Sequence, residues 1–391
     1  MKWPIHSDDE IQAVSRVLAS GRTNYWTGSE GREFEKEYAA FTGTRYAVAV
    51  MNGTVALEAA LYALDIGPGD EVITTCRTFI ASASAIVLRG ATPVLADVDQ
   101  DTQNITPTTI EPLITGRTKA IIVVHLAGWP CDMPAIMALA EKYQLKVIED
   151  CAQAHGAAIA GRRVGAWSHI GVFSFCQDKI ITTGGEGGMI TTNESALWEK
   201  IWAYKDHGKS YDAVYNRSHP LGFRWLHESF GTNWRMTEMQ AAIGRLQLKK
   251  LPQWQVLRQR NAAILTRYFL TVPAFRVVVP PAYVQHAYYK YYVFLQLDKL
   301  KPDWNRNRLM AALQTQGIYC QTGSCGEIYR ELAFVHANLH PAERRPYAKM
   351  LHDTSLMFQV HPTLSAMEME TVARGVLDVM AVAQTTREKV C

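Results

Sequence analysis

Short apolar blocks alternate with stretches of helical period along the first half of the chain. The blocks are Tyr46-Ala47-Val48-Ala49-Val50, Glu71-Val72-Ile73-Thr74-Thr75, Thr92 to Val98, Ala120 to Leu126 and Lys146-Val147-Ile148-Glu149-Asp150. Ala120 to Leu126 is apolar almost without interruption, as expected of a strand buried on both faces. Pro93 stands near the start of its block, where a strand tolerates it. The intervening segments Val55 to Leu61, Ser82 to Leu88 and Met133 to Tyr143 read as helices. Strand and helix in strict alternation predict an α/β fold, a mostly parallel sheet flanked by helices. In such sheets ligands sit beyond the carboxyl ends of the strands, where Gly53, Thr54, the Thr78-Phe79 turn and Asp150 fall.

Upstream, Ser7-Asp8-Asp9-Glu10 reads as a capping box before the helix Ile11 to Leu18, and Glu33 to Phe41 is a helix ending at Gly43. Downstream, Gly171-Val172-Phe173-Ser174-Phe175 is an apolar strand leading to Lys179, followed by a glycine cluster and a second strand, Met189 to Thr192. A helix is expected from Glu194 to His207, then a polar, aromatic connection from Asp206 to Phe230. Helices from Thr237 to Leu251 and Gln255 to Phe269 flank Pro252, which predicts a division into residues 1–251 and a smaller α+β domain, 252–391. That second part contains a strand (Tyr289 to Leu297), a helix (Trp304 to Gln316), an irregular Cys320-to-Tyr329 segment and a last helix (Ala366 to Ala383).

Composition narrows the class. The chain has 391 residues, 48% hydrophobic and 20% charged, which suits a globular protein with a large core. Its formal charge of +3 is too small to argue for nucleic-acid binding. Seven cysteines without regular spacing form no disulfide framework and favour a reduced, cytoplasmic setting. No apolar stretch reads as a signal core or a membrane span. His125, His155 and His207 lack ligand spacing and Cys320 with Cys325 is a poor zinc pair, so no metal is expected.

Two residues suggest chemistry. Lys179 lies between an apolar strand and Ile180-Ile181; a poorly solvated amine is nucleophilic near neutral pH, as Schiff-base chemistry requires. Asp150 ends a buried strand, where an unpaired carboxylate costs several kcal/mol. Each has an ordinary reading, a solvated lysine and a capping aspartate. The Met51-Asn52-Gly53-Thr54 turn into a helix is equally a plain βα turn or a phosphate cradle of backbone amides.

The motifs Ile148-Glu149-Asp150-Cys151-Ala152-Gln153-Ala154-His155-Gly156 and Phe173-Ser174-Phe175…Lys179…Gly185-Glu186-Gly187-Gly188, with Gly53-Thr54 and Asn233-Trp234-Arg235-Met236, resemble the DegT-type nucleotide-sugar aminotransferases. These are fold-type-I enzymes of the aspartate aminotransferase superfamily. The resemblance implies pyridoxal 5'-phosphate (PLP) held on Lys179, which would also move the proton. Asp150 would pair with the ring nitrogen, Gln153 with the ring hydroxyl, and Phe79 would stack on the ring. Gly53, Thr54 and Ser174 would bind the phosphate, with Asn233 reaching it from the other subunit of a homodimer. Where the family often has His-Pro before its lysine, this chain has Cys176-Gln177-Asp178, a change shared with relatives that act on amino sugars. Retention of Lys179 separates the chain from a dehydratase offshoot that carries histidine there.

The resemblance further implies L-glutamate as amino donor and a nucleotide-linked 4-keto-6-deoxy sugar as acceptor. The best guess is UDP-2-acetamido-2,6-dideoxy-4-keto-hexose, aminated at C4 for surface polysaccharide synthesis. Lys209, Arg217 and Arg224 are candidates for the diphosphate, although each is also an ordinary surface cation. His286, Tyr289 within the run Tyr288 to Tyr292, and Ser324, Cys325 and Tyr329 are candidates for the sugar pocket, against a plain domain-interface role. The alternatives are a dTDP- or GDP-linked keto sugar, a 3-keto sugar or a cyclitol ketone as acceptor, or a PLP-binding regulator that does not turn over. A nicotinamide-binding oxidoreductase is disfavoured, because no strand leads through Gly-x-Gly-x-x-Gly into a helix.

Overall fold

Seven strands pair into one sheet in the computed structural model, which describes residues 3–385; Met1, Lys2 and the seventh cysteine, Cys391, lie outside the described residues. The strands are β1 (Tyr46–Val50), β2 (Glu71–Thr75), β3 (Thr92–Ala96), β4 (Thr118–Val124), β5 (Lys146–Asp150), β6 (Ile170–Ser174) and β7 (Gly188–Thr192). Their spatial order is β1-β7-β6-β5-β4-β2-β3. All run in one direction except β7, which is antiparallel to both its neighbours. The carboxyl ends of β1, β2, β4, β5 and β6 therefore open on one edge.

The period of two along the strands divides the core. Ile121, Val123 and Val147 face one layer with Met133, Ile136 and Leu139 of the helix Met133–Lys142. Ile122, Ile148 and Val172 face the other, with Ala56, Leu61 and Ile86 from α3 (Gly53–Ala63) and α4 (Ala81–Leu88). Burial of each large aliphatic side chain contributes about 1.5–3 kcal/mol, which is why the sheet sits where it does. β3 stops at Ala96, short of the expected Val98, because the Asp97 carboxylate turns away to accept the amides of Tyr347 and Ala348 at the start of a distant helix.

Two helix expectations are corrected. Ser7 makes no capping hydrogen bond; its hydroxyl goes to Asp9, and Lys250 draws Ser7, Asp9 and Glu10 together. Among the described residues, capping boxes stand instead at Thr106 with Thr109, Thr237 with Gln240 and Ser365 with Glu368. The expected break at Pro252 is absent: one helix, Glu238–Phe269, runs through it. An interior proline costs about 3 kcal/mol. Pro252 keeps its ring on the solvent side, while Leu248, Leu251, Gln255 and Arg258 bury the opposite face. Beyond this helix, Tyr291–Leu295 pairs between Phe275–Arg276 and Ser355–Phe358 in a small antiparallel sheet with its own apolar core around Phe269, Leu309, Phe358 and Met369. Among the described residues, no helix is long and apolar enough to cross a membrane.

Candidate active site

Asp150 is the last residue of β5 and is buried, 5% exposed. Its Oδ2 accepts from the Ser82 hydroxyl at 2.8 Å and its Oδ1 from the Ala152 amide at 3.1 Å. Desolvation holds its carboxyl above the ordinary range, with these hydrogen bonds and the Lys179 charge pulling the other way. Ser82 is in turn 3.0 Å from the Thr78 hydroxyl, so the turn leaving β2 is tied to the end of β5. Phe79 on that turn is 66% exposed, a large apolar ring with nothing packed over it.

The end of β1 builds the cradle. Asn52 caps α3 by accepting the Val55 amide at 3.0 Å, and the amides of Gly53 and Thr54 have no acceptor among the described residues. A Cβ on Gly53 would lie 2.7 Å from the Ser174 Cβ, and one on Gly188 would lie 2.4 Å from the Asn52 carbonyl oxygen. Only glycines let β1, β6 and β7 converge this closely. Ser174 is fixed by its backbone, its carbonyl accepting from His155 Nε2 at 2.8 Å. His155 Nδ1 therefore accepts from the Tyr38 hydroxyl, and burial pushes this neutral imidazole down to about 3. Gln153 accepts the Ala127 amide at 2.8 Å.

Lys179 ends a turn closed by its own amide on the Cys176 carbonyl. Ile180 and Ile181 are core, whereas the lysine is half-buried: its apolar flanks anchor the loop without sealing the amine. Its carbonyl accepts from the Trp3 indole at 2.9 Å, and its Nζ lies 5.1 Å from the Tyr289 ring centroid. Two of the following glycines, Gly184 and Gly185, have φ of +85° and +126°, a backbone that favours glycine.

PLP fits these residues. Unpaired amides at a helix start suit its phosphate, and a desolvated carboxylate suits a protonated ring nitrogen. Lys179 offers the amine that its aldehyde needs, and Phe79 a bare ring face.

The other candidate residues are more dispersed. Asn233 is exposed and bridges the Asp206 backbone, one residue before Trp234, whose carbonyl accepts the Met51 amide beside the cradle. Lys209 is spent on Asp206 at 3.1 Å and on the face of Trp26; Arg217 is paired with Asp212 and Glu228; Arg224 is exposed. His286 lies behind Tyr288, stacked at 4.0 Å; it lines a cavity of about 20 Å³ with Leu126 and Trp129, room for a water, and also an open groove of about 450 Å³ with Pro281, Val284 and Tyr288. Tyr289 gives its hydroxyl to Asp178 at 2.5 Å. Ser324 donates its amide to the Tyr292 hydroxyl at 2.8 Å. Tyr329 is in the core, its hydroxyl held by Glu327 and the Arg345 amide, which removes it from any open wall.

His125, Glu149 and Cys151 cluster within 4.8 Å, yet their atoms are committed. His125 Nδ1 accepts the Cys131 amide, so Nε2 donates to Glu149, which also accepts from Gly165, Trp167 and Ser168. Ser82, His155 and Asp178 are the polar contributors that sequence reasoning missed. Asp178, adjoining the lysine, carried the one available signal.

Comparison with known proteins places these features in context. Residues 4–377 match the profile of the DegT/DnrJ/EryC1/StrS aminotransferase family. A crystal structure of an aminotransferase from Psychrobacter cryohalolentis is 54% identical, with a TM-score of 0.96 over 98% of this chain and 99% of that one. The spore coat polysaccharide biosynthesis protein SpsC of Bacillus subtilis is 36% identical over 96% of each chain. A UDP-N-acetyl-3-dehydro-alpha-D-glucosamine 3-aminotransferase of Acidithiobacillus ferrooxidans is 38% identical over 80% of this chain and 78% of its own.

Proposed function

The chain belongs to the DegT/DnrJ/EryC1/StrS aminotransferase family, and from that premise we propose that it transfers the amino group of L-glutamate to a UDP-linked 2-acetamido-2,6-dideoxy-4-keto-hexose. It is a PLP-dependent sugar aminotransferase acting on nucleotide sugars. The glutamate donor, the 4-keto position and the UDP-linked acetamido sugar are the proposal. A half-buried amine, a buried strand-end carboxylate and a glycine-built turn with unpaired amides at one edge of the sheet support the cofactor chemistry on which it rests; the donor and the acceptor rest on the family resemblance.

Bound PLP supplies an aldehyde and an electron-accepting ring. The protein's own residues do the rest. Lys179 would hold PLP through its amine and would take and return a proton at the substrate carbon. Asp150, oriented by Ser82, would keep positive charge on the ring nitrogen. The Gly53 and Thr54 amides and Ser174 would hold the phosphate, Phe79 would cover one ring face, and Gln153 would hydrogen-bond the ring hydroxyl. Asn233 would reach the phosphate of the other subunit in a homodimer. Six cysteines are free in the described residues, in keeping with a reduced, cytoplasmic enzyme. The product would enter surface polysaccharide synthesis.

A second reading, amination of a 3-keto sugar, is favoured by the name of the A. ferrooxidans relative. A panel of UDP-, dTDP- and GDP-linked 4-keto and 3-keto sugars, each incubated with glutamate, separates the two. Amination of the UDP-4-keto acetamido sugar alone is expected. Turnover of 3-keto sugars only overturns the position assignment. A chromophore that glutamate does not bleach, with no product from any sugar, means a regulator.

A further inference from the structure

The residue before the lysine has a partner from far along the chain. Tyr289 donates to Asp178 Oδ2 at 2.5 Å, across 111 residues, and its ring lies 5.1 Å from Lys179 Nζ. The phenol is held by an unusual support. Tyr288 and Ala127, neither of them glycine, adopt φ of +48° and +57°, conformations that cost about 1–2 kcal/mol each and persist only where the surroundings enforce them. The enforcement is visible. The Tyr289 amide donates to the Ala127 carbonyl at 2.9 Å, and Ala127 is itself held by Gln153. A Cβ on Gly128, whose φ is +94°, would come within 3.0 Å of the Ala287 Cβ and the Tyr288 nitrogen. From beneath, Arg258 donates Nη1 to the carbonyls of Tyr288 and Tyr289, at 3.2 and 3.4 Å. Arg258 is 1% exposed, lies 5.1 Å from the Trp3 ring centroid, and its Nε and Nη2 have no hydrogen-bond partner among the described residues, so the hydrogen bonds this desolvated cation does make serve to fix the turn.

We propose that Tyr289 and Asp178 are a positioning pair, the strained Tyr288–Tyr289 turn fixing the Asp178 carboxylate on the loop that carries Lys179, with the Tyr289 ring between carboxylate and amine, and so setting the charge and direction of that amine. The proposal rests on Lys179 being the reacting amine. The groups that act on Lys179 are Asp178 on its own loop, Asp150 at the end of β5, His155 after it and the Tyr289 ring, with Lys290 beside Asp178 and Tyr289, and Arg258 beside His155 and Tyr289. His155 is neutral, and Lys290 and Arg258 repel an ammonium. Asp150 already serves Ser82, the Ala152 amide and, on this reading, the ring nitrogen. Asp178 is the carboxylate left to attend the lysine. The Tyr289 bond helps to keep Asp178 ionised: the carboxylate stays exposed at the loop surface, and although partial desolvation raises its carboxyl, that bond and the Lys179 charge hold it low.

The test compares wild type, Asp178→Asn, Asp178→Glu and Tyr289→Phe. The pH midpoint of the visible chromophore is read in the holoenzyme. In the cofactor-free full chain, the midpoint for acylation of Lys179 is read by peptide mass spectrometry. Both midpoints should fall by about half a unit or more in Asp178→Asn, fall less in Tyr289→Phe, and return in Asp178→Glu. A purely structural role would lower thermal stability without moving either midpoint. Unchanged midpoints in both Asp178→Asn and Tyr289→Phe overturn the pair. A wild-type chain whose Lys179 acylates but forms no chromophore with PLP overturns the cofactor reading instead, and the acylation midpoints still decide the pair.

Discussion

The lysine end of the sheet and the segment 206–235 are both polar and both close to the cradle, yet they are built on opposite principles. At the lysine end the chain supplies partners for its own groups. Asp150 has Ser82, Gln153 has the Ala127 amide, and Asp178 has Tyr289. What stays open there is the pair of amides at Gly53 and Thr54 and the ring of Phe79. The segment 206–235 shows the reverse. Its base buries Asp206 Oδ2 and Arg235 Nε without hydrogen-bond partners among the described residues, while Leu221, Phe223, Trp225 and Phe230 stand 76–106% exposed. One region is preorganised for a small molecule. The other is a surface that a single copy leaves uncovered, and it is the face that the homodimer proposed above would cover.

The contrast can be broken in order of expected effect. Asp150→Ala should keep part of its bound cofactor but lose several orders of magnitude in turnover, measured in steady-state assays against cofactor content. Near-normal rates would remove Asp150 from the mechanism. Next, Trp225→Ser with Phe230→Ser withdraws two large apolar side chains from each subunit, at about 1.5–3 kcal/mol apiece. The dimer dissociation constant should rise about 100-fold or more by sedimentation, with activity falling as dimers are lost. An unchanged association state would mean that the segment covers nothing.

A smaller effect concerns acid. His155 and His286 are pushed down to about 3 and His361 to about 4 by burial, all three around the lysine end. The unfolded chain protonates such imidazoles near 6.5, so it binds more protons than the native state below that pH. The stability they contribute is complete above pH 6.5 and is lost as pH falls towards 4, at up to about 1.4 kcal/mol per pH unit for each. Denaturant midpoints between pH 7 and 5 should fall accordingly. Hydrogen exchange should show β5 and β6 loosening before the 206–235 segment; a flat profile would contradict this.

The contrast also explains what could be read from residues alone. β1, β2 and β5 and the helix Ala366–Ala383 follow from local period and caps, and they match residue for residue. The strand-end place of Asp150, the turn at Gly53 and the loop before the glycines at Lys179 were legible because each has local meaning. The bond from Ser82 to Asp150 was not, and Tyr289 was read as a sugar-pocket wall rather than as the partner of Asp178, since these contacts span 68 and 111 residues. Ser7 misled because a distant lysine claimed its capping partners, and Pro252 because tertiary packing outweighed a local penalty. The cations proposed for the diphosphate were chosen by charge, and charge does not reveal that Arg217 already has Asp212 and Glu228.

The most direct measurement is borohydride reduction of the purified protein after incubation with PLP, followed by peptide mass spectrometry. A reduced phosphopyridoxyl group on Lys179, absent from Lys179→Ala together with the visible chromophore, is the predicted result. Modification spread over surface lysines, with Lys179 unlabelled, would contradict the account.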